Sequence, residues 1–89
     1  MTLEELTVKY IRNTESVLSD IRTIKDSRQV NRGEVDSVIG AVRRYLEDAK
    51  YYRERRKFET GLASVAYCEG LLDALRLLGV VEFSWPEEG

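Results

Sequence analysis

The segment from Leu62 to Gly79 is apolar almost all the way round when it is read as a helix. Apart from Ser64, the interruptions are the charged side chains of Glu69, Asp73 and Arg76. Because these three are spaced by four and by three residues, they lie on one narrow stripe of the helix. A helix with so little polar surface cannot stay solvated on its own. The segment therefore predicts a helix that is shielded from water on nearly every side.

Length and composition limit the chain to one small helical domain. Its 89 residues suit a single modest core. The composition, with 43% hydrophobic and 34% charged residues, is typical of a folded protein rather than a disordered one. No apolar run reaches the roughly 18 residues of a membrane-spanning helix, and the N-terminus shows no signal-like pattern. We therefore expect no membrane association and a cytoplasmic location.

The chain contains no histidine and a single cysteine, Cys68. Ser-His-Asp and Cys-His catalysis are therefore excluded, and one thiol without histidine is a poor basis for a structural zinc site. Because Cys68 lies within the apolar helix, we expect a buried thiol that behaves as a small hydrophobe. These absences favour a protein that is not an enzyme, and no cofactor is predicted.

Two amphipathic helices are predicted before the apolar one. Thr2 with Glu5 and Asn31 with Glu34 both match the capping-box pattern of a helix start. On the first helix the predicted core stripe consists of Leu3, Leu6, Tyr10, Val17, Ile21 and Ile24, widened by Ile11 and Leu18. On the second helix it consists of Val35, Val38, Ile39, Val42, Tyr45, Leu46, Ala49 and Tyr52.

Two connections separate these helices. The stretch from Ser27 to Gly33 loses periodicity, and a second reversal is expected between Arg55 and Gly61. Thr60 is the expected N-cap, with an earlier helix start that includes Phe58 and Glu59 as the alternative. Gly79 stands where a left-handed C-cap glycine is expected. The predicted fold is all-α: an up-and-down three-helix bundle with a short extended C-terminal tail. The ranges are about 2–27, 32–56 and 60–78 for the helices, 1–82 for the bundle and 83–89 for the tail.

The third helix carries more apolar surface than a three-helix bundle can cover, since each helix gives roughly half of its circumference to the core. Either the tail folds back over the remainder or a second copy of the chain covers it, and we expect a mixture of both. The residues predicted for this interaction are Leu62, Leu71, Leu75, Phe83 and Trp85. The first hypothesis is therefore a non-enzymatic protein-protein interaction or self-association module, with a homodimer or an unidentified protein as partner.

A metal-dependent enzyme of phosphate chemistry is the first alternative. Carboxylates on facing helices can hold Mg²⁺ or Mn²⁺, and the candidates here are Glu47, Asp48, Glu69 and Asp73. The pattern is weak because Glu47 and Asp48 are adjacent in the sequence. Adjacent side chains on a helix point about 100° apart, so the two carboxylates do not face the same site. The competing interpretation is that the third-helix carboxylates pair with Arg76 or another basic residue, and an enclosed Glu69 would need such a cation.

A weak RNA-binding module is the second alternative. Four basic side chains crowd the end of the second helix: Arg53, Arg55, Arg56 and Lys57. Tyr51, Tyr52 and Phe58 lie beside them, and cations beside aromatics suit phosphate contacts with base stacking. The pI of 5.2 argues against a polyanion partner, and charged helix ends are ordinary.

Gly70 lies in the middle of the third helix, where glycine costs roughly 0.5 to 1 kcal/mol relative to alanine. Such a glycine usually permits a close approach. We therefore predict that another helix or an aromatic ring, Tyr45 or Tyr52, packs against its Cα, so that Gly70→Leu would overpack the core.

The strings YLEDAKYY at residues 45–52 and ASVAYCEGLLDALRLLG at residues 63–79 resemble the short archaeal proteins grouped as domain-of-unknown-function family 357. The resemblance spans roughly residues 30–82, and the first helix matches only in character. It implies a compact, left-handed, up-and-down three-helix bundle of the kind also seen in small immunoglobulin-binding domains, and it implies no activity. The chain departs from the family at Cys68, where a small residue such as alanine is usual, and at residues 53–57, where a shorter turn with Gly-Asp is common.

Overall fold

The structure is a computed structural model that describes residues 1–24 and 31–86. Within these residues the chain forms three helices and one pair of short strands. In chain order they are α1 (Leu3–Asp20), β1 (Arg22–Thr23), α2 (Arg32–Glu54), α3 (Phe58–Leu77) and β2 (Val81–Glu82). The predicted all-α three-helix bundle is confirmed. None of the helices in the described ranges combines the length and apolar character that crossing a bilayer requires.

Contacts between side chains fix the up-and-down course of the helices. From α2 to α1, Lys50 Nζ lies 2.7 Å from Glu15 Oε2 and Arg56 Nη2 lies 3.4 Å from Glu4 Oε1, so the two helices run antiparallel. From α3 to α2, Ser64 Oγ donates to the Tyr45 carbonyl at 2.8 Å. Cys68 Sγ donates further along to the Val42 carbonyl, so α3 reverses direction again.

Both predicted capping boxes are confirmed. The Glu5 amide donates to Thr2 Oγ1 at 3.1 Å, and Glu5 Oε1 accepts from the Thr2 amide at 2.8 Å. Two interactions with Thr2 lower the pKa of the exposed Glu5 carboxyl: the hydrogen bond from the Thr2 backbone has the larger effect, and the contact with the Thr2 side chain has the smaller one. Asn31 and Glu34 make the same reciprocal pair at 2.8 and 2.9 Å, and α2 starts there.

The first helix is shorter than the predicted range of about 2–27, because the chain becomes extended at Ile21. β1 then pairs antiparallel with β2, with Arg22 opposite Glu82 and Thr23 opposite Val81. This pairing gives hydrogen-bond partners to backbone groups that would otherwise bond within a longer helix. Because the two strands are far apart in the sequence, helical periodicity cannot reveal the pairing. The predicted end of the helix near residues 26–28 and most of the first connection lie outside the described residues.

The core stripe of α1 contains two threonines as well as apolar residues. Its buried members are Thr7, Ile11, Thr14, Val17 and Leu18. Leu3 and Ile24, which the sequence places in the core, are 39% and 37% exposed. Thr7 is accommodated because its Oγ1 donates to the carbonyls of Leu3 and Phe58, at 2.8 and 3.2 Å.

Helix α3 begins at Phe58, before the predicted cap at Thr60, and no described side chain caps it. The chain reverses direction over residues 55–57, between α2 and α3. This short turn is possible because Arg56 adopts a left-handed conformation with φ of 60°, and the Lys57 amide donates to the Tyr52 carbonyl at 2.9 Å. Gly61 follows in the first turn and is buried, so α3 approaches the other helices closely there.

The end of α3 confirms the predicted glycine cap. Gly79 has φ of 75°, its amide donates to the Arg76 carbonyl at 3.0 Å, and the Val80 amide donates to the Leu75 carbonyl at 3.2 Å. This pair of hydrogen bonds is a Schellman motif, and its usual apolar contact is present because Val80 and Leu75 pack in one cluster. The chain therefore turns back along the bundle, with Val81 buried.

Candidate interaction surface

One face of α3 is apolar and exposed to solvent. Leu77 is 83% exposed, Leu78 66% and Tyr67 52%. We use the name outer face for the exposed apolar residues of α3 from residue 63 onward and of its C-cap, which are Ala63, Ala66, Tyr67, Gly70, Ala74, Leu77 and Leu78. The expectation that α3 is shielded on nearly every side is therefore not met by the described part of this chain.

The outer face is continuous along the helix. Residues 63, 67, 70, 74 and 77 alternate by four and three, which keeps them on one stripe, opposite the buried residues Gly61, Val65, Cys68, Leu72 and Leu75. From residue 63 to 78 this stripe carries no charge, because the charged side chains of that stretch lie to one side of it. An uncharged stripe of this length is typical of a surface that contacts another helix.

An aromatic pair borders the outer face on the α2 side. The rings of Tyr45 and Tyr67 lie 4.7 Å apart between centroids at 67°, an edge-to-face arrangement. Tyr45 is 39% exposed, although the sequence places it in the core stripe of α2. The hydrogen bond from Ser64 to the Tyr45 carbonyl holds the two helices together at this point. The pair therefore widens the apolar surface beyond α3.

The C-terminal tail borders the opposite side. Trp85 Nε1 donates to Asp73 Oδ1 at 2.8 Å, and Arg76 Nη2 lies 3.2 Å from the same oxygen. The Arg76 guanidinium lies 5.2 Å from the centroid of the Phe83 ring, which in turn contacts the Trp85 ring edge to face. Phe83 and Trp85 pack against the core. The tail thus folds back on the bundle, which is one of the two ways in which the sequence analysis expects the surplus apolar surface of α3 to be covered. The outer face stays exposed beside the tail.

Gly70 is not the site of a close approach within the chain. A Cβ built on it would meet no atom of the described residues within 4 Å, so the prediction that Tyr45 or Tyr52 packs against it is wrong. Gly61 has that role instead. A Cβ there would lie 3.3 Å from the Ala49 carbonyl oxygen and 3.4 Å from Thr7 Cγ2. Gly70 therefore has no structural reason to be glycine inside one copy of the described chain.

The residues that the sequence predicts for interaction lie on other sides of α3 or in the tail. Leu75 is 4% exposed and packs with Val35, Val80 and Val81. Leu62, Leu71, Phe83 and Trp85 are partly buried and pack against the core. The predicted set holds only large apolar side chains, and it omits the small residues of the outer face as well as Tyr67, Leu77 and Leu78. The segregation of Ala63, Ala66, Gly70 and Ala74 onto one stripe was the available signal.

The four candidate metal ligands do not form a cluster. Across residues 1–24 and 31–86, no group of three or more acidic or cysteine side chains could hold a metal ion. Glu47 Oε2 lies 3.3 Å from Lys50 Nζ, whereas Asp73 is held by Arg76 and Trp85 and lies on α3. The pairing of Asp73 with Arg76 agrees with the competing interpretation of the sequence.

Glu69 lies beside Asp73 without a cation. It is half-buried, and none of the ion pairs among the described residues involves its carboxylate. Burial, and to a smaller extent the neighbouring Asp73 charge, raises the pKa of Glu69. Glu69 is not enclosed, so the condition under which it would need a cation does not apply, and the partial exposure of the side chain explains why the charge is tolerated.

Three of the four basic side chains at the end of α2 and in the turn that follows it contact groups of the protein itself. The Arg55 guanidinium lies 3.7 Å from the Tyr51 ring centroid, Arg56 contacts Glu4 and Phe58, and Arg53 Nε lies 3.7 Å from Glu54 Oε2. Lys57 is exposed. These contacts direct the cations to different neighbours instead of toward one groove, so RNA binding here stays a prediction.

Cys68 is fully buried, as the sequence predicts. Its Sγ donates to the Val42 carbonyl at 3.3 Å, and burial raises the pKa of the thiol to about 11. At neutral pH the group is therefore a protonated thiol without access to solvent. This environment suits a structural residue and not a nucleophile.

Comparison with known proteins gives one family. The model of a family described as proteins of unknown function (DUF357) matches residues 9–81. No curated protein and no solved structure matches the chain. The match includes most of α1, whereas the resemblance found in the sequence alone began near residue 30.

Proposed function

The chain belongs to the DUF357 family, which is described as proteins of unknown function, so we propose a role from the geometry: a non-enzymatic protein-association module. It docks the outer face of α3 against an apolar surface of another polypeptide. One observation carries this assignment: Leu77 and Leu78 are 83% and 66% exposed at the end of an uncharged face. A cytoplasmic location and an archaeal source remain predictions.

The size of the outer face sets the expected strength of association. Over the fifteen positions from 63 to 77 a helix rises roughly 22 Å, and its width with side chains is about 10 Å. This footprint is far below the roughly 800 Å² that each partner gives to a standard interface. Burying one leucine contributes about 1.5 to 3 kcal/mol, which must offset a cost of association of at least about 4 kcal/mol. We therefore expect weak, reversible binding.

The chemistry of the face defines the class of partner. It offers no charge to attract a phosphate backbone or an acidic peptide, and it offers apolar contacts at helical spacing. Such a pattern fits a helix or a groove that presents its own apolar side chains at three- and four-residue intervals. The aromatic edge formed by Tyr45 and Tyr67 adds the kind of side chain that is enriched at protein interfaces.

A photo-crosslinking amino acid placed at Leu78 tests the proposal in cells that make the protein. We expect a covalent adduct from position 78, either with another copy or with a different protein. A matched probe at Ser19, exposed on α1, should give none. Adding Leu77→Glu to the first variant should abolish its adduct, because a charge would be placed in an apolar contact. Equal adducts from both positions, or none from either, would contradict the proposal.

A further inference from the structure

We infer that the partner of the outer face is a second copy of this chain, docked antiparallel about a two-fold axis that passes close to Gly70. This inference rests on the proposed association function and adds the identity and the orientation of the partner. Three features support it: the order of side-chain sizes along α3, the exposed glycine at the centre of the outer face and the basic turn that precedes α3.

The sizes of the side chains are complementary only in the antiparallel orientation. Ala63 and Leu77 each lie seven residues from Gly70, and Ala66 and Ala74 each lie four residues from it. An antiparallel pair therefore places Leu77 of one copy over the partner's Ala63, so that a large side chain meets a small one at both ends. A parallel pair would place leucine on leucine and alanine on alanine, which leaves a gap at one end. A two-fold pair needs such a self-complementary patch.

Gly70 lies at the centre of this arrangement. In the middle of an exposed helix a glycine costs stability, and within the described chain nothing approaches its Cα closely. At the crossing point of two copies both glycines face each other, and the missing Cβ atoms let the helix axes come together. The close approach that the sequence predicts for Gly70 is then between two chains.

The charges also favour antiparallel docking. Exposed Arg55, Arg56 and Lys57 precede the N-terminus of α3, and a parallel pair would bring the two basic turns together. Antiparallel docking places the two basic turns at opposite ends of the pair, and the two helix dipoles then point in opposite directions.

Disulfide trapping of purified protein distinguishes the orientations. Ala66→Cys and Ala74→Cys are made as separate variants, and the native Cys68 is kept because its thiol is buried. Under mild oxidation we expect the mixture of the two variants to form covalent dimers at least fivefold faster than either variant alone. A mixture of Ser19→Cys with Ala74→Cys measures the rate of random collision, and the natural chain should form no covalent dimer because its only thiol is buried. Faster dimers from each variant alone would indicate a parallel pair and would overturn the inference.

Sedimentation equilibrium of the natural chain separates the inference from the proposed function. We expect the apparent mass to rise reversibly from 10.3 kDa toward twice that value as the protein concentration increases. The Leu77→Glu variant should need at least a tenfold higher concentration to show the same rise. If the chain stays monomeric up to millimolar concentration while position 78 still gives adducts in cells, the partner is a different protein and the inference fails while the proposed function stands. If neither association occurs, both fail.

Discussion

Trp85 Nε1 donates a hydrogen bond to Asp73 Oδ1 at 2.8 Å, and this bond fastens the C-terminal tail to α3. The bond joins residues on two different elements, and Arg76 binds the same carboxylate from within the helix. The tail therefore belongs to the fold and covers one flank of α3. The outer face is exposed because this tail follows the neighbouring side of the helix.

Trp85→Phe should loosen the tail. The variant keeps an aromatic ring but removes the N–H donor, which leaves the part-buried Asp73 with Arg76 as its remaining described partner. We expect a loss of about 1 kcal/mol in the free energy of unfolding, measured by urea denaturation, since bonds to charged groups are worth somewhat more than neutral ones and partial exposure reduces the effect. Faster amide exchange at Val80 and Val81 should accompany it. Ser84→Ala in the same exposed tail is the control, and an equal loss there would contradict the role of the bond.

The two glycines of α3 should respond differently to substitution by alanine. At Gly70 the added methyl meets open space, so Gly70→Ala should stabilise the dilute monomer by about 0.5 to 1 kcal/mol through helix propensity. The same change should weaken association at high concentration, because it fills the inferred crossing point. Thermal unfolding at low concentration and sedimentation at high concentration measure the two effects.

Gly61 is the matched control for this substitution. Its added methyl would lie 3.3 Å from the Ala49 carbonyl oxygen, a backbone atom that cannot move aside easily. Gly61→Ala should therefore gain nothing from propensity, and Gly61→Leu should cost about 1 to 3 kcal/mol by overpacking. A Gly70→Ala variant that melts lower than the natural chain when dilute would show that the open space is filled within one copy.

Local features of this fold can be predicted from the sequence because their partners lie three or four residues apart. The capping boxes at Thr2 and Asn31 and the glycine at 79 are of this kind, and all three are confirmed. The pairing of β1 with β2 joins residues about sixty positions apart, so the periodicity of Ile21 and Ile24 extended the predicted helix too far. Nothing local to α1 indicates the strand that ends it.

The exposed face of α3 could not be separated from its core face by counting apolar residues. Both faces are apolar, and only the packing of α1, α2 and the tail decides which one is buried. A pattern of hydrophobic and polar residues also misplaces Thr7 and Thr14, because it treats threonine as polar. The hydrogen bonds of Thr7 to two carbonyls make its burial tolerable, and they are visible only in three dimensions.

Thr14→Val should stabilise the protein. The Thr14 side chain is fully buried and its Oγ1 finds no hydrogen-bond partner among the described residues, so the hydroxyl carries a desolvation penalty. Valine keeps the branched shape and removes the polar atom. We expect a gain of about 1 kcal/mol in the free energy of unfolding by urea denaturation. Thr7→Val is the control and should lose about 1 kcal/mol, because Thr7 Oγ1 donates to two carbonyls. A loss at both positions would indicate that Thr14 has a partner such as a buried water.

Arg56→Gly should stabilise the reversal between α2 and α3. Arg56 has φ of 60°, a left-handed conformation that costs a residue with a Cβ roughly 1 to 2 kcal/mol. Its exposed ion pair with Glu4 at 3.4 Å contributes little in return. We expect the melting temperature to rise, by an amount that corresponds to about 1 kcal/mol. Arg55→Gly, at a residue with φ of −92°, should lower it. The opposite order would mean that the Arg56 side-chain contacts outweigh the backbone strain.

Glu69→Gln should stabilise the protein in a manner that depends on pH. Burial, with a smaller effect of Asp73, raises the pKa of Glu69 in the folded state above the ordinary value of 4.5. Well below pH 4.5 the carboxyl is protonated in both states and folding carries no penalty. As pH rises, the unfolded state releases its proton first, so the stability falls until pH exceeds the folded pKa. The variant should therefore gain stability over the natural chain at pH 7 and lose that advantage near pH 4, as urea denaturation at both pH values would show. Glu59→Gln, an exposed carboxylate on the same helix, is the control, and an equal pH-dependent gain there would contradict the assignment to burial at residue 69.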